Sequence, residues 1–247
     1  QEIQTAGDLK DGSHVRSAIR RFLSSGADLN RAVIMIRENF NDEWVYHEGV
    51  PGTVLSEISG RNKKNEIKVR VPHDAAIGMA RDPEGTSANG YFQAPSCFYT
   101  KTFYIPEDDA DKDIYFEFEG VYHNAFIYLN GSFAGKHPYG FSGFYIRATE
   151  LIRFGEQNKI EIIIKNASPS ARWYTGTGLY RNVNLMISNR THFSYSGVKI
   201  STLDLEDDYA SIRADMDLEH LAIGTRRMSV LLTITNEKGI IAAQNEM

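Results

Sequence analysis

Arginine, tryptophan and tyrosine stand side by side at Arg172-Trp173-Tyr174, and a Thr/Gly loop, Thr175-Gly176-Thr177-Gly178, follows directly. Such a set can bind a sugar. An indole or phenol face stacks on the apolar C–H face of a pyranose, and a guanidinium fork grips hydroxyls or a carboxylate. Leu179-Tyr180-Arg181-Asn182 then leads into Val183, Leu185 and Ile187, which alternate as a strand does. A second arrangement fits the same residues: Trp173, Tyr174 and Tyr180 pack inward, and the arginines pair with carboxylates or flank a turn. Asp74, after Val71-Pro72-His73, is the other candidate ligand residue. A carboxylate in such a turn either meets a ligand or caps backbone N–H groups, and capping is the favoured role.

Other chemistries lack their residues. His73 beside Asp74 makes no catalytic dyad, because no activated serine accompanies them. Gly176-Thr177-Gly178 opens no helix pattern and so is not a phosphate cradle. The seven histidines show no zinc spacing. Asp109-Ala110-Asp111-Lys112-Asp113 echoes the start of a calcium loop, but Ile114 occupies the glycine position and no closing Glu follows. With Glu107 and Asp108, this cluster is expected to be a solvated turn. The Asn-x-Ser/Thr triplets at Asn130, Asn166 and Asn189 are read as turn chemistry. No catalytic residue, metal ligand or cofactor site is assigned.

Composition narrows the class. Hydrophobic residues make up 42% and aromatics 11% of 247 residues, enough for one large β domain or two smaller ones. The net charge of −5 is spread along the chain, which argues against a nucleic-acid partner. No apolar run is long enough to cross a bilayer as a helix. The single cysteine, Cys97, excludes an internal disulfide and fits a reducing compartment or a disulfide-free export route. The chain opens on Gln1 rather than Met, which suggests a cleaved signal peptide and a periplasmic or secreted location, with the cytoplasm as the alternative.

The elements that must position the candidates are almost all β. Ile114, Phe116 and Phe118 alternate with Tyr115, Glu117 and Glu119, which predicts a strand with one face buried, and Ala125, Ile127 and Leu129 follow the same period before the hairpin signal Asn130-Gly131. Ile160, Ile162 and Ile164 repeat the pattern. Many short strands broken by Gly, Pro and Asn predict a sandwich or jelly roll. A second β region follows residue 190, with strands expected at 197–202, 209–218, 228–235 and 240–243. That is too few for a complete immunoglobulin-like sandwich. Ahead of all this, Val15, Ile19, Phe22 and Leu23 fall near one helical face, with Gly26 placed to stop it. Residues 1–29 are therefore read as an N-terminal extension, 30–190 as the jelly roll and 191–247 as a truncated immunoglobulin-like domain.

Six segments, in order, resemble glycoside hydrolase family 2, the β-galactosidase and β-glucuronidase type. Phe40-Asn41-Asp42-Glu43-Trp44 is similar to that family's FN..W segment, and Val71-Pro72-His73-Asp74 to its LPHDW turn. Residues 98–106 resemble YRK.F.IP, and residues 118–121 with 125–131 resemble FEGV…A.VYLNG. Residues 135–141 resemble G.H.GGY, and residues 172–183 resemble RWY.G.GIYR.V. Two departures stand out: Ala75 replaces the tryptophan after the turn, and Tyr139-Gly140-Phe141 departs from GGY.

The resemblance implies a sugar-binding jelly roll followed by the start of an immunoglobulin-like domain. It implies a parent enzyme that hydrolyses terminal β-linked sugars with retention, through two glutamates on a (β/α)₈ barrel. No alternating β/α pattern follows residue 190, so this chain alone is expected to be inactive. Arg172, Trp173, Tyr174 and Asp74 would face the sugar, with the barrel as partner. The alternatives are a stand-alone carbohydrate-binding module and an oligomerisation domain that pairs with a copy of itself.

Overall fold

Period-two runs become strands: Ala125–Leu129 alternates buried and half-buried side chains, whereas Lys112–Phe118, expected to bury one face, is buried on both. In the computed structural model, which describes residues 2–6, 35–49, 64–92, 95–166, 174–225 and 227–247, fifteen strands are formed. The expected helix near residues 15–23 lies outside the described residues, and among the described residues there is no α-helix. None is therefore long and apolar enough to cross a membrane. The fold is all-β.

Contacts divide the chain into two units. The larger, residues 35–188, holds two antiparallel sheets. Its strands in chain order are β2 (Met35–Asn39), β3 (Trp44–Gly49), β4 (Lys64–Val69), β5 (Ser96–Tyr104) and β6 (Lys112–Phe118). There follow β7 (Ala125–Leu129), β8 (Ser132–His137), β9 (Phe144–Arg147), β10 (Gln157–Ile164) and β11 (Val183–Asn189). One sheet runs β4-β3-β5-β10-β7-β8, the other β2-β11-β6-β9. Ile160, Ile162 and Ile164 of the first sheet and Ile114, Phe116 and Phe118 of the second are nearly inaccessible, and all six belong to one core cluster. That is the two-layer sandwich the alternation predicts. The Asn130-Gly131 turn takes the left-handed conformation at both residues, φ 52° and 81°, as a two-residue hairpin requires.

The FN..W segment is a core corner. Phe40 meets Trp44, Phe103 and Phe116 at centroid distances of 5.4–5.8 Å. Trp44 is fully buried and satisfies its indole N–H on the Phe40 carbonyl at 2.9 Å. Lys101 Nζ donates to the same carbonyl at 3.0 Å and sits 3.6 Å over the Phe40 ring. Burial holds its pKa below the usual lysine value.

The smaller unit contains β12 (Thr191–Leu205), β13 (Tyr209–His220) and the hairpin β14 (Leu231–Thr235) with β15 (Ile241–Glu246). Its last two strands begin slightly later than the sequence suggests. Strand β1 (Glu2–Ala6) belongs to the same unit. It pairs antiparallel with β13, from Glu2 opposite Arg213 to Ala6 opposite Tyr209. No motif in residues 2–6 signals this partner, which lies some two hundred positions away.

One sequence expectation is corrected. The acidic segment 107–113 is a solvated turn only in part: Asp113 is completely buried. Its Oδ1 accepts from Arg147 Nη2 at 2.7 Å and from Thr149 Oγ1 at 3.1 Å. The alternation of β6 aims residues 113, 115 and 117 to one face, and this sets Asp113 against β9. Replacing Asp113 by Ala should destabilise by about 2 kcal/mol. That is less than the ~3–5 kcal/mol of a wholly buried pair, because the Arg147 side chain is 32% exposed. Asp111→Ala, 73% exposed, should change stability by less than ~0.5 kcal/mol. Urea midpoints of the two variants test the contrast.

Candidate functional site

The Thr/Gly loop lies between two other segments and bonds to both through its backbone. On one side His73 N donates to Leu179 O at 2.7 Å, and Ala75 N to Thr177 O at 2.9 Å. On the other, Tyr122 N donates to Gly178 O at 3.1 Å, and Gly178 N to Tyr122 O at 2.9 Å. Gly178 sits at φ 120°, a conformation that favours glycine. A Cβ there would press into the Tyr99 hydroxyl and come 2.7 Å from the His73 carbonyl. The glycine therefore answers both to φ and to the approach of two segments. Thr177 beside it is fully buried, its hydroxyl 3.6 Å from Cys97 Sγ.

Asp74 fastens the loop further. Its Oδ1 accepts from Ala76 N at 2.9 Å and Thr177 N at 3.0 Å, while Oδ2 accepts from the Tyr174 hydroxyl. Gly176, at φ 70°, gives that carboxylate room, since a Cβ would meet Oδ2 at 2.7 Å. Both carboxylate oxygens are thus engaged by the protein. Ala75 contributes its backbone to the seam and packs against the core, so the turn is anchored without the tryptophan of the family pattern.

Tyr174, half-buried, has its ring 5.1 Å from Phe92 at 62°. Phe92 is placed by a closed loop in which Asp82 N donates to Tyr91 O at 2.8 Å and Tyr91 N to Thr86 O at 3.0 Å. Beside the two rings is a small depression whose described lining includes Asn89, Asn166, Thr175 and Gly176. Amides, a hydroxyl and two ring faces are the groups that bind a sugar. Arg172 and Trp173 lie outside the described residues. Sequence reasoning missed Phe92, Asn89 and Asn166. An aromatic inside the loop Ser87-Ala88-Asn89-Gly90-Tyr91-Phe92 was the available signal for the first two. Asn166 is marked locally only by its Asn-x-Ser triplet, which reads as turn chemistry.

Beneath the loop His73 Nδ1 lies 2.7 Å from the Tyr99 hydroxyl. Burial lowers the His73 pKa, with the nearby Asp74 charge opposing it. Burial raises the phenol pKa values of Tyr46, Tyr99 and Tyr174, and the bond to Asp74 adds to the rise at Tyr174. A separate carboxylate pair, Glu117 and Glu119, is held by Arg37 at 2.5 and 2.8 Å. Burial works against ionisation of Glu119, yet hydrogen bonds from Asn182 and Arg37 bring its pKa below the usual value. A glycosidase acid needs the opposite shift.

Two predictions follow from this seam. Gly178→Ala should cost about 3 kcal/mol, from forced φ and overpacking together, and Gly131→Ala only about 1 kcal/mol, since nothing lies within 4 Å of its Cβ position. Chemical denaturation measures both. The raised phenol pKa values stabilise the fold fully below the ordinary tyrosine value of 10.0 and progressively less above it, because the unfolded chain then releases protons that the folded chain retains. The urea midpoint should therefore fall as pH climbs past about 10.

No family model matches the chain. It is 30% identical over 207 residues to the β-galactosidase BoGH2A of Bacteroides ovatus, an alignment covering 82% of this chain and 24% of that protein. To a β-galactosidase of Thermoanaerobacter pseudethanolicus it is 27% identical over 219 residues, covering 83% of this chain and 27% of that protein. Among solved structures, a glycosyl hydrolase family 2 member from Bacteroides cellulosilyticus superposes with TM-score 0.74 at 28% identity, over 85% of this chain and 28% of that one. A β-glycosidase from Bacteroides vulgatus gives 0.75 at 29%, over 85% and 27%. The chain spans only 20% and 24% of the length of the first two curated relatives it matches. In sequence and in structure its relatives are glycoside hydrolase family 2 β-galactosidases and β-glucuronidases, and it corresponds to one portion of those proteins.

Proposed function

We propose that this chain is the non-catalytic, sugar-facing portion of a retaining β-glycosidase of β-galactosidase type, which hydrolyses terminal β-linked sugars. The observation that carries the reading is the clasp of Asp74 on Tyr174 and Thr177. It fixes the Tyr174 ring beside Phe92, with the amides of Asn89 and Asn166 in the same depression. A ring held in this way loses little freedom when a pyranose stacks on it. In this reading Tyr174 is a wall of the sugar site, and Asp74 positions that wall. Arg172 and Trp173, the two residues immediately before Tyr174 in the sequence, supply a hydrogen-bonding fork and a second ring.

The hydrolytic step belongs elsewhere. Retention needs two carboxyl groups about 5–5.5 Å apart, one of them poised to donate a proton. Glu117 and Glu119 are locked onto Arg37, and Glu119 is shifted toward the ionised form. The catalytic pair is therefore assigned to a barrel in the same protein as this chain, and that barrel is its main partner.

Purified on its own, the chain should not turn over nitrophenyl β-galactoside or nitrophenyl β-glucuronide, as measured by release of nitrophenol. Turnover that copurifies with the chain would overturn the reading.

A further inference from the structure

The loop between β8 and β9 presents two aromatic rings to solvent. Tyr139 is 60% and Phe141 54% exposed. Their centroids are 5.8 Å apart at 69°, and Phe141 leans on Tyr122 at 5.2 Å. The loop that carries them is pinned. The Tyr180 hydroxyl donates to Gly140 O at 2.7 Å, and a Cβ at Gly140 would clash with the Tyr122 ring. His137 Nε2 lies 3.0 Å from Ser142 Oγ, while its ring stacks on Phe144 at 4.2 Å. The exposed rings are thus held out by a built support. Tyr139 stands where the GGY pattern has its first glycine, so the second ring of the ledge is a feature of this sequence.

We propose that Tyr139 and Phe141 form a second sugar-stacking subsite, for a β-linked oligosaccharide longer than the one residue held beside Tyr174. Size decides the occupant. An aromatic side chain buries ~150–250 Å², so two half-exposed rings offer roughly 200–300 Å². A specific protein interface needs about 800 Å² per partner. One or two pyranose rings match the smaller area. The ledge itself carries a polar group a saccharide uses, the Tyr139 hydroxyl, and an exposed guanidinium, Arg181, lies 5.5 Å from the Tyr180 ring whose hydroxyl holds the loop. The two subsites are mechanically joined. Tyr122, which backs Phe141, is the residue that pairs with Gly178 in the loop after Tyr174. The choice of a sugar rests on the glycosidase reading above.

The test titrates methyl β-galactoside and β-1,4-galactotetraose into this chain, following the aromatic ring signals of Tyr139, Phe141 and Tyr174 by NMR. The tetrasaccharide should shift Tyr139 and Phe141 and bind about tenfold more tightly than the monosaccharide. The double variant Tyr139→Ala/Phe141→Ala should lose that gain while unfolding at the same temperature, since both rings are largely exposed. A tetrasaccharide that moves Tyr174 but neither ledge ring overturns this proposal and spares the first subsite. Silence at all three rings overturns both.

Discussion

Everything at the candidate site depends on how closely three backbone segments approach at Gly178. The 73–75 turn bonds to the loop from one side and residue 122 from the other, and the Tyr99 hydroxyl lies directly against the glycine. A side chain at that point would part the segments. Without the seam, Asp74 could not reach both Thr177 N and the Tyr174 hydroxyl, and the Tyr174 ring would have no fixed orientation. The restriction is steric at the glycine and electrostatic at the carboxylate. Each makes the other possible, because a buried backbone must satisfy its polar groups and a partly buried carboxylate must satisfy its oxygens.

The same end of the larger unit is tied together by amides. Asn41 Oδ1 accepts from Val183 N at 2.9 Å, and its Nδ2 donates to Asn182 Oδ1 at 2.9 Å. Asn182 in turn donates to Glu119 at 2.8 Å. Gly120 lets Tyr180 and Arg181 pass close by, since a Cβ would meet them at 2.8–2.9 Å. The described parts of the segments that resemble the family, residues 40–44, 71–74, 118–121, 135–141 and 174–183, are therefore physical neighbours. Their resemblance in register reflects a common contact network in which each short motif fits the others.

Much of the fold was legible because burial on one face imposes a period of two. The isoleucines of β10 and the aromatics of β6 announced their strands, and Asn130-Gly131 announced its hairpin. Less was legible wherever a residue's role is set by a distant partner. Asp113 sits in a run of acids that looks solvated, and only the placement of Arg147 and Thr149 across β9 reveals that it is buried. Glu2–Ala6 carries no local mark of its pairing with β13. Asp74 was recognisable as a turn residue, but its third bond, from Tyr174, spans a hundred positions.

By itself, the sequence determined the all-β class, the position of the period-two strands and the family resemblance, since these follow from local periodicity and short motifs. The tertiary structure decided which aromatic groups stand together and which polar groups are already committed. Phe92 and Tyr174 meet across some eighty residues, and Asp74 accepts three hydrogen bonds from the protein. The physical reason is that a side chain's chemistry depends on the hydrogen-bond donors and acceptors it has left unused. Those are known only once the long-range hydrogen bonds have been made.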